Sequence, residues 1–320
     1  MGLTLHQLPA AEYGGWREGA IERRARQRAV MFAGDLERAR ERVRHDTEGV
    51  LTADGPVGRN EVLVVTDGVQ RRGAFAIIWE SDTLAFVLDV VVDDVADAPA
   101  VRDLVEQRVA PGGAQSLAVR LVRGEPVAAA FVAGAPFDVV STRMALDLAQ
   151  PPPAAQRADR VRTRPMTEAE LTRYFDTAVE DFADETMQAD PLQSREDALA
   201  RSRRMYDAIL PEGVATRGHD FLVALDVEDG RRIGMTWLFH EDGAGFVYDV
   251  VVDEAERGRG YGRALMDAAA AHCRRLDLRV LGLNVFAHNH VARAMYDALG
   301  YAVVDDIVQE RLGWSSVRRR

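Results

Sequence analysis

No lysine occurs anywhere in the 320 residues, and all 40 basic side chains are arginines. That excludes chemistry that needs an ε-amine: Schiff bases, Walker A loops and kinase-type phosphate anchoring. The bias reads as one of coding rather than of mechanism. Cysteine is nearly absent too. Cys273 alone cannot close an internal disulfide or build a cysteine-rich zinc site, and it suits a reducing, cytoplasmic setting. No apolar run approaches the roughly 20 residues that span a bilayer. The alanine-rich stretch from Val127 to Ala135 stops at Pro136, so no membrane partner is expected. Met1 to His6 lacks a basic start followed by an apolar block, so no secretory signal is expected. Positive charge is also short. Fifty-one acidic residues give a net charge of −11, which argues against nucleic acid as a partner.

What is present is the composition of a globular protein, 47% hydrophobic and 28% charged. Its length exceeds the roughly 100–200 residues of one domain. The two halves repeat. Phe86-Val-Leu-Asp-Val-Val-Val-Asp-Asp94 stands 160 residues before Phe246-Val-Tyr-Asp-Val-Val-Val-Asp-Glu254, and each copy follows a glycine-led strand that opens at Gly73 or Gly234. Gln150-Pro-Pro-Pro153-Ala-Ala-Gln156 between them is stiff and extended. The expected organisation is a domain over 1–149, a Pro-rich linker over 150–157, a second domain over 158–314 and an Arg-rich tail over 315–320.

Periodicities in the second half switch in a definite order. Thr167-Glu-Ala-Glu170 is a capping box opening a helix with Leu171, Phe175 and Val179 on one face. Another helix starts at Ser194. Three β-rich runs, 221–227, 233–239 and 246–252, are separated by Asp-Gly turns at 229–230 and 242–243 and predict an antiparallel meander. A glycine-rich turn, a helix with Leu265, Ala269, Cys273 and Leu276 on its apolar side, a strand over 278–285, a helix near 292–299 and two short strands complete the domain. The class is α/β (α+β), a mixed, mostly antiparallel sheet flanked by helices. The first half follows the same plan, with a long Arg/Glu-rich helical region over about 15–49.

Arg257-Gly-Arg-Gly-Tyr-Gly262 follows a strand and opens a helix, which gathers backbone N–H groups where a pyrophosphate can sit. A Rossmann fingerprint fails, because Arg263 stands at the last glycine position and the preceding sheet is not a βαβ unit. The segment resembles the pyrophosphate loop Q/R-x-x-G-x-G/A of the GCN5-related N-acetyltransferase (GNAT) superfamily, with Arg257, Gly260 and Gly262 in place. The resemblance continues through Leu283-Asn-Val-Phe-Ala-His-Asn289, Ala292, Tyr296 and Gly300-Tyr301, and covers about 161–312. It implies a tandem duplication of the GNAT fold.

The same resemblance implies acetyl-CoA (CoA) wedged between the fourth and fifth strands. Val250, Val251 and Val252 would meet its pantetheine arm, and Arg257, Gly258, Arg259, Gly260, Tyr261, Gly262 and Arg263 its pyrophosphate, with Asn289 and Ala292 also at the cofactor. A backbone N–H near Val250 would stabilise the oxyanion, and Tyr296 would protonate the leaving thiolate. Tyr296 falls at the flank of an apolar stripe made by Val291, Met295, Ala298 and Leu299.

The proton acceptor is less defined. Strand alternation puts Asp249 on one face with Val247 and Val251, and Phe246, Tyr248 and Val250 on the other. Asp249 fits a catalytic carboxylate, and because Asp89 keeps the same register it also fits a structural one. Asn284 stands where some relatives carry a glutamate base. His288 and His290 have no third ligand nearby, so no metal is expected. Cys273 and His272 read as helix residues with the thiol buried. Glu180, Asp181, Asp184 and Glu185 fit either attraction of a cationic amine or a solvated helix face, and His219 and Trp237 fit an acceptor wall.

Carrying the 160-residue offset onward sets Asp97-Ala-Pro-Ala-Val-Arg102 against the loop, and aligning Phe137 with Tyr301 sets Val132 against Tyr296, so glycines and phenol are both missing. The first half reads as a degenerate copy, and the chain as a monomer with pseudo-dimeric domain pairing. The expected function is acetyl transfer to a primary amine of a small molecule or peptide. The alternatives are a mycothiol-synthase-like acetyltransferase and a non-catalytic acyl-CoA sensor or scaffold.

Overall fold

The computed structural model describes residues 2–150, 158–189, 194–241 and 243–313. The expected linker beyond Gln150, the tail over 315–320 and Asp242 of the second turn lie outside them. In chain order the elements are β1 (Thr4–Gln7), α1 (Ala10–Arg28), α2 (Leu36–Glu48), β2 (Glu61–Thr66), β3 (Arg71–Trp79), β4 (Leu84–Val92), α3 (Ala98–Val109), β5 (Ser116–Val122), α4 (Pro126–Val132) and β6 (Asp138–Asp147). The second half gives β7 (Val161–Pro165), α5 (Glu168–Ala189), α6 (Arg195–Ile209), β8 (His219–Asp226), β9 (Arg232–Glu241), β10 (Ala244–Val252), α7 (Tyr261–Arg275), β11 (Val280–Phe286), α8 (His290–Ala298) and β12 (Ala302–Arg311). Among the described residues no helix is long and apolar enough to cross a membrane.

Two compact units divide the chain, and they interleave in sequence. Unit 1 takes residues up to Ala29, Asp35–Thr142 and the chain from Val304 on; unit 2 takes Val30–Gly34 and Arg143–Val303. The strand order in unit 1 is β1-β2-β3-β4-β5-β12, and in unit 2 β6-β11-β10-β9-β8-β7. Each sheet is therefore finished by a strand from the other half of the sequence. β12 is one strand where two short ones were expected. It runs antiparallel to β5 from Asp305↔Val122 to Arg311↔Ser116. Its Asp305 is almost fully buried and ion-paired with Arg120, and its Asp306 accepts from Thr142.

In unit 1 the expected helical region over 15–49 is two helices. Gly34 takes a left-handed conformation (φ +86°), and Asp35 caps α2 by accepting from the Arg38 N–H at 3.2 Å. β4 and β5 are parallel from Leu84↔Ser116 to Val87↔Val119, and the β3–β4 register shifts between Ala74 and Ala76. Beyond that shift Asp89, at φ +55°, turns inward with its side chain 3% exposed and takes two bonds from Arg23, Nε to Oδ1 at 3.1 Å and Nη2 to Oδ2 at 2.6 Å. Where unit 2 has its glycine loop, unit 1 has the start of α3, with Pro99 in its first turn and Asp97 held by Arg72 at 3.3 Å.

Unit 2 repeats the frame. The capping box forms as the sequence predicts: the Thr167 N–H donates to Glu170 at 2.9 Å, and the Glu170 N–H donates back to Thr167 Oγ1. Ser194 caps α6 by accepting from the Asp197 N–H at 3.1 Å. One face of β8–β10 packs on α7 through Leu238, Val247, Met266 and Cys273. The opposite face packs on α5 and α6 through Phe221, Trp237, Tyr174 and Phe175. Trp237 is 2% exposed, and burial of a ring of that size contributes about 3 kcal/mol. Both glycine-led strands answer a close approach. A Cβ on Gly73 would lie 2.3 Å from the Val91 carbonyl oxygen, and one on Gly234 2.1 Å from that of Val251.

Strand exchange makes a firm prediction about dissection at the linker. Residues 1–150 and 158–320 expressed alone should each fail to give a soluble, cooperatively melting protein, because each loses the strand beside its fifth strand. Co-expression should restore both. Two separately folded fragments, each with a sharp urea transition, would refute the exchange.

Candidate active site

β10 carries a one-residue irregularity. Its register against β9 runs Val247↔Leu238 and then Asp249↔Trp237, leaving Tyr248 as the extra residue. Its parallel pairing with β11 runs from Ala244↔Val280 to Val247↔Leu283 and goes no further. Past that point Asp249–Val252 and Asn284–Phe286 are not paired with each other, so the two strands part. Their main-chain groups become available to an extended, amide-bearing ligand.

The bulge also corrects the face assignment. Strict alternation places Asp249 with Val247, but Val247 packs on the α7 side while Tyr248 and Asp249 both turn toward α5. Tyr248 stacks on Trp237 with centroids 4.7 Å apart. Asp249 accepts from the Tyr174 hydroxyl at 2.7 Å. Burial raises its carboxyl above the ordinary range, the Tyr174 hydroxyl and Val250 amide oppose that shift, and the charge of Asp181 adds to it. Burial, followed by the charge of Asp249, pushes the Tyr174 phenol up.

The glycine loop stands at the end of the parted strand. Gly258 (φ +75°) and Gly260 (φ +82°) are left-handed, and Gly260 begins α7 without a side-chain cap, so the first-turn N–H groups of α7 face the loop. A Cβ on Gly258 would meet nothing within 4 Å, and one on Gly262 would lie 3.3 Å from the Met295 sulfur. Arg257 donates to the Val252 carbonyl at 3.2 Å, Arg259 pairs with Glu256 at 3.2 Å, and Arg263 is partly exposed on the first turn of α7. Tyr261 offers the loop its backbone only: its ring is buried, its hydroxyl bonds Asp226, and Arg231 donates to that hydroxyl at 3.1 Å. Such a cradle of amides with open space above a glycine fits a pyrophosphate.

Across the gap, Asn289 caps α8 by accepting from the Ala292 N–H at 3.1 Å, so its Oδ1 has a structural duty. Val291 is 85% exposed rather than part of an apolar stripe. Tyr296 is 6% exposed and packs 5.7 Å from the Tyr301 ring. No hydrogen bond to its hydroxyl occurs among the described residues. Burial, then the charges of Asp249 and Glu185, pushes this phenol up to about 12, so it keeps its proton at neutral pH.

The remaining candidates separate. Asn284 is exposed past the end of the strand pairing, and His290 is exposed at the start of α8. His288 is exposed and stacks on Phe286 at 5.6 Å. Trp237 Nε1 donates to His219 Nδ1 at 2.9 Å, and burial lowers that imidazole to about 4. Trp237 is thus a buried wall, not an open one. Cys273 is buried, and its thiol is pushed up to about 12, chiefly by burial. Among the described residues no group of three His, Cys, Asp or Glu could hold a metal ion.

The acidic run on α5 divides as well. Glu180, Asp181 and Asp184 are exposed, whereas Glu185 is partly buried. Burial first, then the charges of Asp249 and Asp181, raises it to about 7. The run alone did not single it out. The usable signal was spacing, since Tyr174, Ala178, Phe182 and Glu185 follow one helical stripe.

A helix-flanked, mostly antiparallel sheet whose parallel fourth and fifth strands part beside a glycine-rich helix start offers an unpaired strand edge and a cradle of amides to one extended, phosphate-bearing ligand. Residues 179–301 match the acetyltransferase (GNAT) family. A Bacillus subtilis (strain 168) protein named as the uncharacterized N-acetyltransferase YycN is 30% identical over 152 residues, 46% of this chain and 96% of that one. The mycothiol acetyltransferase of Propionibacterium freudenreichii subsp. shermanii is 38% identical over 109 residues, 33% of this chain and 32% of its own. The crystal structure of a GCN5-related N-acetyltransferase from Sphaerobacter thermophilus aligns over 97% of this chain and 96% of that chain, with a TM-score of 0.60 and 17% identity, a likeness of fold. The chain belongs to the GNAT acetyltransferase family and is a transferase enzyme built on two copies of that fold.

Glu185 makes a sign-definite prediction for stability. Its carboxyl titrates near 4.5 when unperturbed and at about 7 in the fold, so the native state binds more protons between those values. Stability should therefore fall as pH rises through that window and level off above it. Urea midpoints across pH 4–9 should show a slope in the wild type that is reduced in Glu185→Gln, with the variant the more stable at pH 8. Parallel curves would mean that the carboxyl is solvated.

Proposed function

We propose that the C-terminal half transfers an acetyl group from acetyl-CoA directly to a primary amine of a small molecule or peptide. The observation that carries this is the end of the β10–β11 pairing at Val247↔Leu283, which parts the two strands on the way to the uncapped start of α7. When bound, acetyl-CoA supplies an acyl group activated as a thioester. Backbone amides over 258–263 would hold its pyrophosphate, the unpaired edge of Val250, Val251 and Val252 its pantetheine arm, and Asn289 and Ala292 the far side of the gap.

The residues of the chain then divide the proton work. A main-chain N–H near Val250 meets the oxyanion. Tyr296, kept neutral by burial, donates to the sulfur as the C–S bond breaks. Asp249 is the carboxylate that faces the incoming amine, held in place by Tyr174. A hydroxyl set beside the gap supports catalysis over a sensor, which would need the loop and not the donor.

Unit 1 lacks the equipment, and we assign it no acetyl transfer. Pro99 has no N–H, Asp97 would repel a phosphate, and Arg102 is buried against the carbonyls of Phe131 and Ala133. Cys273, buried and without a disulfide, suits a reducing compartment. The likeness to mycothiol acetyltransferase spans about a third of that protein and brings no acceptor with it.

Two measurements check the assignment. Tyr296→Phe should lower kcat in a thiol-release assay by roughly 100- to 10,000-fold while leaving the calorimetric Kd for CoA within about twofold of wild type. Gly260→Val forces a branched residue into the left-handed region at a cost of at least about 1–2 kcal/mol. It should raise that Kd about tenfold or more without changing the circular dichroism spectrum. Wild-type protein that gives no heat with CoA or acetyl-CoA would remove the whole reading.

A further inference from the structure

Among the described residues, the carboxyl groups on the α5 side of the gap meet no cation. Asp249 comes from the bulge of β10, and Glu185 from the stripe of α5 that starts at Tyr174. One turn before Glu185, Phe182 packs its ring 6.3 Å from both Tyr206 and Phe286 and so fixes that stretch of helix over the gap. Tyr174 donates to Asp249 at 2.7 Å, the Tyr206 hydroxyl reaches the Ala178 carbonyl one turn further along α5 at 3.4 Å, and Phe182 carries the stripe on to Phe286, so Asp249 and the Glu185 stripe line the same side of the gap. On Asp249 act Asp181, the Tyr174 hydroxyl and the Val250 amide, and on Glu185 the charges of Asp249 and Asp181. No arginine is among them.

The other half of the sequence supplies the comparison. There the same bulge aspartate, Asp89, is ion-paired with Arg23 on α1. On the 160-residue offset Arg23 stands against Ala183, and Ala25 against Glu185. Unit 1 carries its own cation against this aspartate. Unit 2 has removed that cation and placed a second carboxyl two residues along. Carboxylates gathered in a partly buried space are unfavourable until a positive charge joins them. In unit 2 that charge has to arrive with a ligand, and the guanidinium of Arg23 marks the place.

We propose that Asp249 and Glu185 form the acceptor's cation subsite, that the substrate is an alkylammonium with no carboxylate on its amine carbon, and that Glu185 takes the proton that readies the nitrogen. This rests on the acetyl-transfer reading above. The ammonium enters between the two carboxylates, and Glu185 removes one proton. The neutral nitrogen bonds to the thioester carbon, and the C–S bond then breaks as Tyr296 gives its proton to the sulfur. The adduct nitrogen loses its second proton, which restores the phenol, and the proton on Glu185 leaves to solvent. One ammonium and one thioester thus give one amide, one thiol and one proton. An α-amino acid is disfavoured because its carboxylate would enter a space already rich in negative charge.

The test uses the full chain, acetyl-CoA and pairs of amines that differ by one carboxylate: tyramine and tyrosine, cadaverine and lysine, histamine and histidine. Thiol release should favour the decarboxylated member by roughly tenfold or more in kcat/KM. With tyramine, wild-type kcat/KM should rise with pH through about 7, the limb set by Glu185 among Asp181 on α5, Tyr206 on α6, Asp249 and Tyr248 on β10, and Tyr296 on α8. Glu185→Gln should lose that limb, fall about a hundredfold and narrow the ratio within each pair, with its CoA Kd unchanged and its melting transition still cooperative; Glu185→Asp should recover part of the activity and the limb. Equal or better turnover of the carboxylated members, CoA binding without turnover of any of the six, or an unchanged pH profile in Glu185→Gln would overturn this proposal. Failure to bind CoA at all would instead overturn the acetyl-transfer reading on which it stands.

Discussion

One extra residue in β10 governs the rest of the second unit. With Tyr248 unmatched between Val247↔Leu238 and Asp249↔Trp237, the strand twists away from its parallel neighbour. The register that joined Ala244–Val247 to β11 cannot continue. Unpaired main-chain groups, normally a liability at a sheet edge, become the wall of a cleft. The same residue reverses the pleat, so that Asp249 points at α5 instead of into the packing against α7. A carboxyl in the second position would be buried among Val247, Leu238 and Met266, with no hydroxyl to receive. The glycine loop follows directly on this unpaired run, since only Asp253 and a short turn over Glu254–Glu256 separate Val252 from Arg257.

The first unit shows that the bulge alone does not make a site. β4 breaks its alternation in the corresponding place, and its pairing with β5 stops at Val87↔Val119. Beyond that stop the chain fills its own openings. Arg23 neutralises Asp89, Pro99 removes an amide from the helix start, and Arg102 fills the space near the end of α4 with a guanidinium bound to carbonyls. Each substitution replaces a vacancy that a ligand would need with an internal partner. Gly73 and Gly234 make the same close approach to the facing strand in the two units, a packing constraint that holds whether or not a ligand ever enters.

Much of this was legible from residue types and spacing. The capping box at Thr167 and Glu170, the helix start at Ser194, the glycine loop that opens a helix and the missing glycines of the other half all act through local backbone chemistry that a short window contains. The bulge was not. Alternation is a rule about regular strands, and Phe246-Val-Tyr-Asp-Val-Val-Val252 has no glycine or proline to warn of an exception. The partner of β12 was hidden for a different reason. A terminal strand with the right pattern fits any compatible sheet edge, and which edge it joins is settled by contacts such as Arg120 with Asp305, 185 residues apart. Glu185 was concealed by company, since three of the four acids in its run are solvated.

Tyr296 joins these levels. Sequence context marks it and α8 holds it buried against Tyr301, yet its environment decides what it can do. A phenol raised to about 12 is a poor acid toward a thiolate that would itself titrate near 8.5. Complete transfer of its proton in advance is therefore uphill. The transfer becomes favourable when a proton reaches the phenol oxygen from the adduct nitrogen in the same event, and that needs donor, sulfur and nitrogen within one enclosed space. The carboxylates of Asp249 and Glu185 raise the phenol further, but in the proposed reaction they would also draw in the ammonium whose second proton completes the exchange. Charges that make Tyr296 a weaker acid in isolation would thus make it a better relay once the acceptor is bound.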